Sequence, residues 1–181
     1  GERMWRDTCR WRKEEGVADI HTRPHPHFAS IKSAYPHYIH GVDKTGRPII
    51  FEQTGRMQLK RLFGGGCTIG DMCDHYVFNV EFVTEIGRRS KRRNGDPTPQ
   101  HTIVMDVKGI SLSMLSGDVL TYLKAVSVIM GKHYPLSQGK LYIINAPFWF
   151  SGAWGGIKKV LPRAVIDNVS ISGGDFLDDL L

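Results

Sequence analysis

The chain has 181 residues, 41% hydrophobic and 23% charged, with a formal net charge of +6. That length and balance fit one globular domain with a substantial core. No apolar run approaches the ~20 residues a helix needs to cross a bilayer, and the positive charge directs attention to anionic partners, a membrane surface or a nucleic acid.

The charged N-terminus has no apolar stretch of the kind a secretory signal carries. Cys9, Cys67 and Cys73 are odd in number and lack metal-binding spacing, which fits free thiols in a reducing compartment. Residues 2–15 read as a helix with Met4, Trp5, Thr8, Cys9 and Arg12 on one face and Trp11 beside it, closed by Gly16. Pro24, Pro26 and Pro36 break the next stretch, leaving room for a short helix over about Pro26–Ser33. A hairpin follows: Tyr38–Val42, a turn at Asp43-Lys44-Thr45-Gly46, and a return strand over Arg47–Glu52. Met57–Phe63 predicts one or two helical turns, ended by Gly64-Gly65-Gly66.

Asp71–Arg93 is the longest predicted helix, with Tyr76, Val77, Val80, Val83, Thr84 and Gly87 as its apolar stripe, widened by Phe78 and Phe82. Residues 94–99 read as a loop and Thr102–Val107 as a buried strand. Asp118 caps a helix to about His133, carrying Leu120, Leu123, Val126, Val128 and Ile129, and Tyr134-Pro135 stops it. Leu141–Ile144 is a short buried strand ended by Asn145-Ala146-Pro147.

Phe150, Ala153, Trp154, Ile157, Val160 and Leu161 then fall on one helix face, while Gly152, Gly155 and Gly156 weaken the same turns by ~1 kcal/mol each relative to alanine. The pattern accommodates a core helix with close-packed glycines or a movable apolar lid. Val165–Ser172 predicts a last strand and Phe176–Leu181 a final helix. Helix and strand alternate behind the hairpin, as in an α/β domain with parallel crossovers, and no internal repeat is present.

Catalytic signatures are missing. Gly64-Gly65-Gly66-Cys67-Thr68 lacks the Gly-Lys-Ser/Thr ending of a phosphate loop. No Gly-x-Ser-x-Gly or signature-bearing Cys/His arrangement exists, and Asp106 has no partner carboxylate, so it reads as a structural aspartate at a strand end. His25/His27 and His37/His40 match no zinc spacing. Arg88, Arg89, Lys91, Arg92 and Arg93 form a basic run at a helix C-terminus, where the dipole favours cations; it reads as a solvated helix end or as a contact with anionic lipid headgroups. No aromatic-and-basic interleaving marks a nucleic-acid platform. Ile103 and Met105 share one strand face, as do Leu141 and Ile143; facing the Phe150/Trp154/Ile157 stripe, they would fill a core or enclose an apolar ligand.

Three blocks go further. Tyr38-Ile39-His40-Gly41-Val42-Asp43-Lys44-Thr45-Gly46-Arg47-Pro48-Ile49, then Met105-Asp106-Val107-Lys108-Gly109-Ile110-Ser111, then Tyr134-Pro135 with Ile143-Ile144-Asn145-Ala146-Pro147 and Phe150, resemble in order the hairpin, central strand and gate segment of the CRAL-TRIO, or Sec14-like, lipid-binding family. The resemblance implies an αβ sandwich: a mixed, mainly parallel sheet flooring a hydrophobic pocket under a gate helix at about Phe150–Leu161. It implies residues 1–34 as the remnant of an N-terminal helical lobe and 35–181 as the lipid-binding domain, truncated at both ends.

By positional match the pocket would comprise Val80, Val83, Thr84, Ile103, Met105, Leu141, Ile143, Phe150, Trp154 and Ile157. The Tyr-Pro-Glu-Arg of the fungal members that exchange phosphatidylinositol is here Tyr134-Pro135-Leu136-Ser137, their inositol-phosphate Thr and Lys fall at Val165 and Asn168, and their headgroup Ser and Thr on the central strand at His101 and Ile103. The headgroup candidates are therefore His101, Ser137 and Asn168, and the ligand is a phospholipid of another headgroup or a neutral hydrophobe such as a sterol, tocopherol or squalene-like molecule. The implied activity is non-enzymatic and cofactor-free: binding and intermembrane transfer, in a cytoplasmic protein that touches membranes transiently. The alternatives are a lipid-sensing module of a larger signalling protein and, from another class, a small-molecule hydrolase, which the missing nucleophile motif disfavours.

Overall fold

The structure is a computed structural model and describes residues 1–89, 100–114, 117–135, 137–161 and 163–174. The predicted terminal helix Phe176–Leu181 and the end of the basic run, Lys91, Arg92 and Arg93, lie outside those residues.

Helix α1 (Glu2–Glu14) and helix α2 (Phe28–Ala34) precede a hairpin of β1 (His37–Val42) and β2 (Pro48–Glu52). Asp43 holds its turn: one carboxylate oxygen accepts from Thr45 N–H (2.8 Å), Thr45 Oγ1 (2.7 Å) and Arg47 N–H (2.9 Å), and the other accepts from Thr102 Oγ1 (2.8 Å), tying hairpin to central strand. After α3 (Leu59–Gly64), the long helix α4 runs over Ile69–Arg89. It starts before the predicted Asp71 because Thr68 and Asp71 form a reciprocal capping box: Thr68 N–H donates to the Asp71 carboxylate (2.8 Å) and Asp71 N–H to Thr68 Oγ1 (3.1 Å).

Then come β3 (His101–Asp106), α5 (Gly117–His133), β4 (Gln138–Ile144), α6 (Phe150–Ile157), α7 (Arg163–Ile166) and β5 (Val169–Ile171). The single predicted strand over Val165–Ser172 is thus corrected to a helical turn followed by a shorter strand. Asn168 closes that turn, its carboxamide donating to Ala164 O (2.8 Å) and its backbone N–H to Val165 O (3.0 Å). Strand β4 begins three residues before the predicted Leu141, because a register shift between His101 and Ile103 lets Gln138 pair as well.

The five strands lie in chain order β1-β2-β3-β4-β5, the first pair antiparallel and the rest parallel. Right-handed crossovers that always advance to the next strand place their helices on one face. Accordingly α4 packs on β2 and β3, α5 packs on α4, and α7 packs on β4. The result is the α/β layered sandwich that the alternation predicts. Tyr38, Phe51, Val104 and Tyr142 align across the opposite face, where Tyr38 stacks on Phe51 at 5.2 Å.

Candidate functional site

An apolar cavity of about 160 Å³ lies between the sheet and the helical layer. Its floor is Ile103 and Met105 of β3 and Leu141 and Ile143 of β4. Its wall is one stripe of α5, Val119, Tyr122, Leu123, Val126 and Met130, and its cover is Phe150, Trp154 and Ile157 of α6. A larger groove of about 600 Å³ runs between α1, α4 and α5, but it is more open and includes Glu15, Arg23, Asp74 and Lys124. The less open, more apolar site is the better match to the concave, apolar walls of a ligand pocket.

The cover is anchored at one end. Asn145, directly after β4, takes a left-handed φ of 57°; its backbone N–H donates to Gly173 O (3.1 Å) and its carboxamide to Asp106 Oδ1 (2.8 Å). Asp106 also accepts from Lys108 N–H (2.9 Å), a structural part of the kind its strand-end position predicts. Beyond this anchor, Phe148 is 96% exposed and Phe150 is buried among Val107, Leu141, Ile143 and Val165.

The glycines of α6 bear on the close-packed reading of its pattern. A Cβ added at Gly152, Gly155 or Gly156 would meet no atom within 4 Å. None is required for close packing, so the close-packed alternative is overturned, and their cost to helix stability is not returned by contacts. Gly55 is the opposite case: a Cβ there would lie 2.1 Å from Lys108 O, so only glycine lets the segment after β2 abut the exit of β3.

One end of the cavity is polar. Glu52, at the end of β2, accepts from Tyr35 Oη at 2.7 Å, with Thr54, Tyr76 and Tyr122 also in the lining. Burial raises the Glu52 pKa, opposed by the Tyr35 hydrogen bond and by Lys32. Burial likewise raises the phenols of Tyr35, Tyr76 and Tyr122, which keeps them hydrogen-bond donors.

Of the sequence-predicted pocket residues, Ile103, Met105, Leu141, Ile143, Phe150, Trp154 and Ile157 come together around the cavity. Val80, Val83 and Thr84 do not line it. They lie on α4, which packs on β2 and β3, and Val80 and Val83 are each 1% exposed. The predicted headgroup residues also lie outside the lining: His101 is buried, with its pKa lowered to about 4 by burial, Ser137 Oγ donates to Tyr134 O (2.9 Å), and Asn168 turns back on Ala164. Arg88 and Arg89 are exposed, each paired with Glu85, at 3.8 and 2.7 Å.

The sequence reading missed Tyr35, Glu52, Tyr76, Ser127 and Gln138; of the α5 residues it named, Leu123 and Val126 line the cavity while Leu120 and Val128 are exposed, and Val119, Tyr122 and Met130 went unnamed. The signal available was the series Val119, Tyr122, Leu123, Val126 and Met130 at i, i+3, i+4, i+7 and i+11. Among the described residues, no His, Cys, Asp and Glu side chains group as metal ligands; His37 and His75 instead hydrogen-bond each other at 2.9 Å.

Residues 32–181 match the CRAL/TRIO domain family. A CRAL-TRIO domain-containing protein of Saccharomyces cerevisiae is 36% identical over 186 residues, covering 98% of this chain and 59% of the relative. The SEC14 cytosolic factor of Eremothecium gossypii is 32% identical over 183 residues, covering 98% and 58%. A phosphatidylinositol/phosphatidylcholine transfer protein of Arabidopsis thaliana is 27% identical over 188 residues, covering 99% and 33%. The chain thus spans less than two thirds of the length of each. The crystal structure of Sfh5 superposes with a TM-score of 0.74 at 18% identity, covering 94% of this chain and 59% of that one, a likeness of fold. A parallel sheet behind an antiparallel hairpin, an apolar cavity on its helical face and a match from residue 32 to residue 181 make this chain a member of the CRAL/TRIO domain family.

Proposed function

We propose that the chain binds one lipid or other hydrophobic molecule under α6 and exchanges it with membranes, without covalent chemistry. The observation that carries this reading is an apolar cavity whose cover contains three glycines that no packing contact requires. The cavity, at about 160 Å³, is smaller than the ~300 Å³ of a typical ligand pocket, so a lipid enters only as α6 moves outward. Burying its chain contributes ~0.8 kcal/mol per CH₂, enough to extract a long chain from a bilayer. The transfer named for the Arabidopsis relative and the word cytosolic in the name of the Eremothecium relative support the same reading, with peripheral membrane contact.

Membrane contact through the basic run Arg88, Arg89, Lys91, Arg92 and Arg93 is part of this proposal. Neutralising the run is expected to weaken binding to anionic vesicles in a salt-dependent way; unchanged binding would return it to a solvated helix end.

The test of the main reading is native mass spectrometry of the purified protein, with organic extraction to identify the ligand, followed by transfer between vesicles. A stoichiometric co-purified lipid that moves between vesicles is the expected result. Binding without transfer would make the domain a lipid sensor. A protein that neither binds nor transfers any hydrophobe sinks the reading.

A further inference from the structure

A second concavity adjoins the cavity. A groove of about 320 Å³ lies between α3 and the turn Leu112–Met114, lined by Gln58, Lys60, Arg61 and Ser113 and by three residues that line the cavity too, Met57, Met114 and Val119. Those three side chains separate the two spaces. Val119 is buried, whereas Met57 and Met114 are only partly so. A methionine side chain turns about three bonds and yields without backbone movement, so two of the three parts of this partition are movable.

The two spaces differ in charge. Among the described residues lining the cavity, Glu52 is the only charged one, so an anion drawn inside meets an acidic group and no cation. Among those lining the groove, the charged residues are Lys60 and Arg61, both exposed. Arg61 donates to Gln58 Oε1 on its own helix (3.4 Å), and neither cation is ion-paired among the described residues. The positions that the family resemblance assigns to a headgroup, His101, Ser137 and Asn168, lie outside the cavity lining.

We propose that this groove is the headgroup site of the ligand: the hydrocarbon lies in the cavity, and a phosphate or carboxylate emerges between Met57 and Met114 to rest on Lys60 and Arg61. This rests on the lipid-binding reading above and gives the bound molecule its orientation, head towards α3 and tail on Ile103, Met105, Leu141 and Ile143. The passage concerns where the head lies once α6 has closed on the chain.

Three oleyl chains test it: oleyl alcohol, oleate and 1-oleoyl lysophosphatidate. Each is delivered from cyclodextrin to delipidated protein at mildly alkaline pH and read by tryptophan fluorescence, Trp154 being in the lining. Both anionic chains are expected to bind about tenfold more tightly than the alcohol, an advantage that falls as salt rises. Lys60→Gln combined with Arg61→Gln is expected to remove the advantage and leave alcohol binding unchanged. Lys158→Gln combined with Lys159→Gln, exposed cations at the other end of α6, is expected to change nothing. Loss of the advantage in that second pair alone overturns the proposal, as does an advantage that survives in the first pair, or equal loss of alcohol binding there. Inorganic phosphate titrated alone in a calorimeter is expected to show no binding; binding as tight as lysophosphatidate would make the groove a site for free phosphate and overturn the headgroup assignment. The wild-type series decides by itself if a variant does not fold. Equal binding of all three chains overturns this proposal alone; binding of none overturns it together with the lipid-binding reading.

Discussion

Helices α4 and α6 cross the same face of the same sheet, yet one is a wall and the other a cover. Helix α4 has 21 residues, begins with the Thr68–Asp71 box and buries Met72, Val77, Val80 and Val83. It is fastened in the middle as well: Glu81 accepts from Arg12 at 2.6 and 3.0 Å and from Tyr134 Oη at 2.6 Å. Helix α6 has 8 residues, no side-chain cap at its start, and only Phe150 buried. Per residue it is the more aromatic of the two, yet it buries fewer side chains. What separates the two helices is side-chain volume packed against the sheet, with polar fastening to neighbouring helices.

The contrast can be broken most sharply at the cover. Trp154→Asp places a carboxylate on the cavity face of α6 and is expected to lower affinity for a chain-labelled fluorescent lipid at least ~100-fold, since an unpaired buried charge is costly. Retained affinity would mean that α6 faces no ligand.

Acid attacks the wall side. His37 and His75 are held neutral, with pKa values lowered to about 4 and about 3, chiefly by burial, then by Lys32 for His37 and by His37, Lys32 and His25 for His75. The unfolded chain takes up these protons near pH 6.5, where the folded one does not. Stability is therefore full above that pH and falls as the pH drops toward 4, by up to ~1.4 kcal/mol per pH unit for each histidine. Urea midpoints across that range measure it; a flat profile removes the neutral pair as a fastening of α4 to β1.

Next in size, Val80→Ala is expected to cost ~2 kcal/mol in urea denaturation, because the site under α4 is filled and cannot collapse freely. Wild-type stability would mean that α4 is no more tightly packed than α6. The smallest effect belongs to the glycines. Alanine at 152, 155 and 156 is expected to add up to ~1 kcal/mol per site to the stability of α6 and to slow vesicle-to-vesicle transfer while equilibrium binding persists. Transfer at the wild-type rate would remove the glycines from the opening step.

Much of this was legible in one dimension. The turn residues Asp43 to Gly46 specify the hairpin, the alternation behind it specifies parallel crossovers, and the period-2 pairs Ile103/Met105 and Leu141/Ile143 specify a floor face. Each is a local property: turn geometry, helix period and strand alternation act over a few residues. The segment Val165–Ser172 was misread because its β-branched residues suit a strand, whereas the Asn168 contacts that close a helical turn arise only on folding. Val119, Tyr122 and Met130 of α5 went unnamed because apolar residues also lie off that stripe, at Leu120 and Val128, and only packing tells the two sets apart.

By itself the sequence determined the order of the elements, the family-specific blocks and the presence of an aromatic, glycine-weakened helix. Only the tertiary structure decided that Val80 and Val83 of α4 are fully buried while α5 and α6 bound a cavity, that the α6 glycines touch nothing, and that Glu52, Ser127 and Gln138, distant in the chain, line one apolar pocket. Those outcomes depend on how side chains from separate crossovers fill or fail to fill a common volume, and no window of neighbouring residues contains that sum.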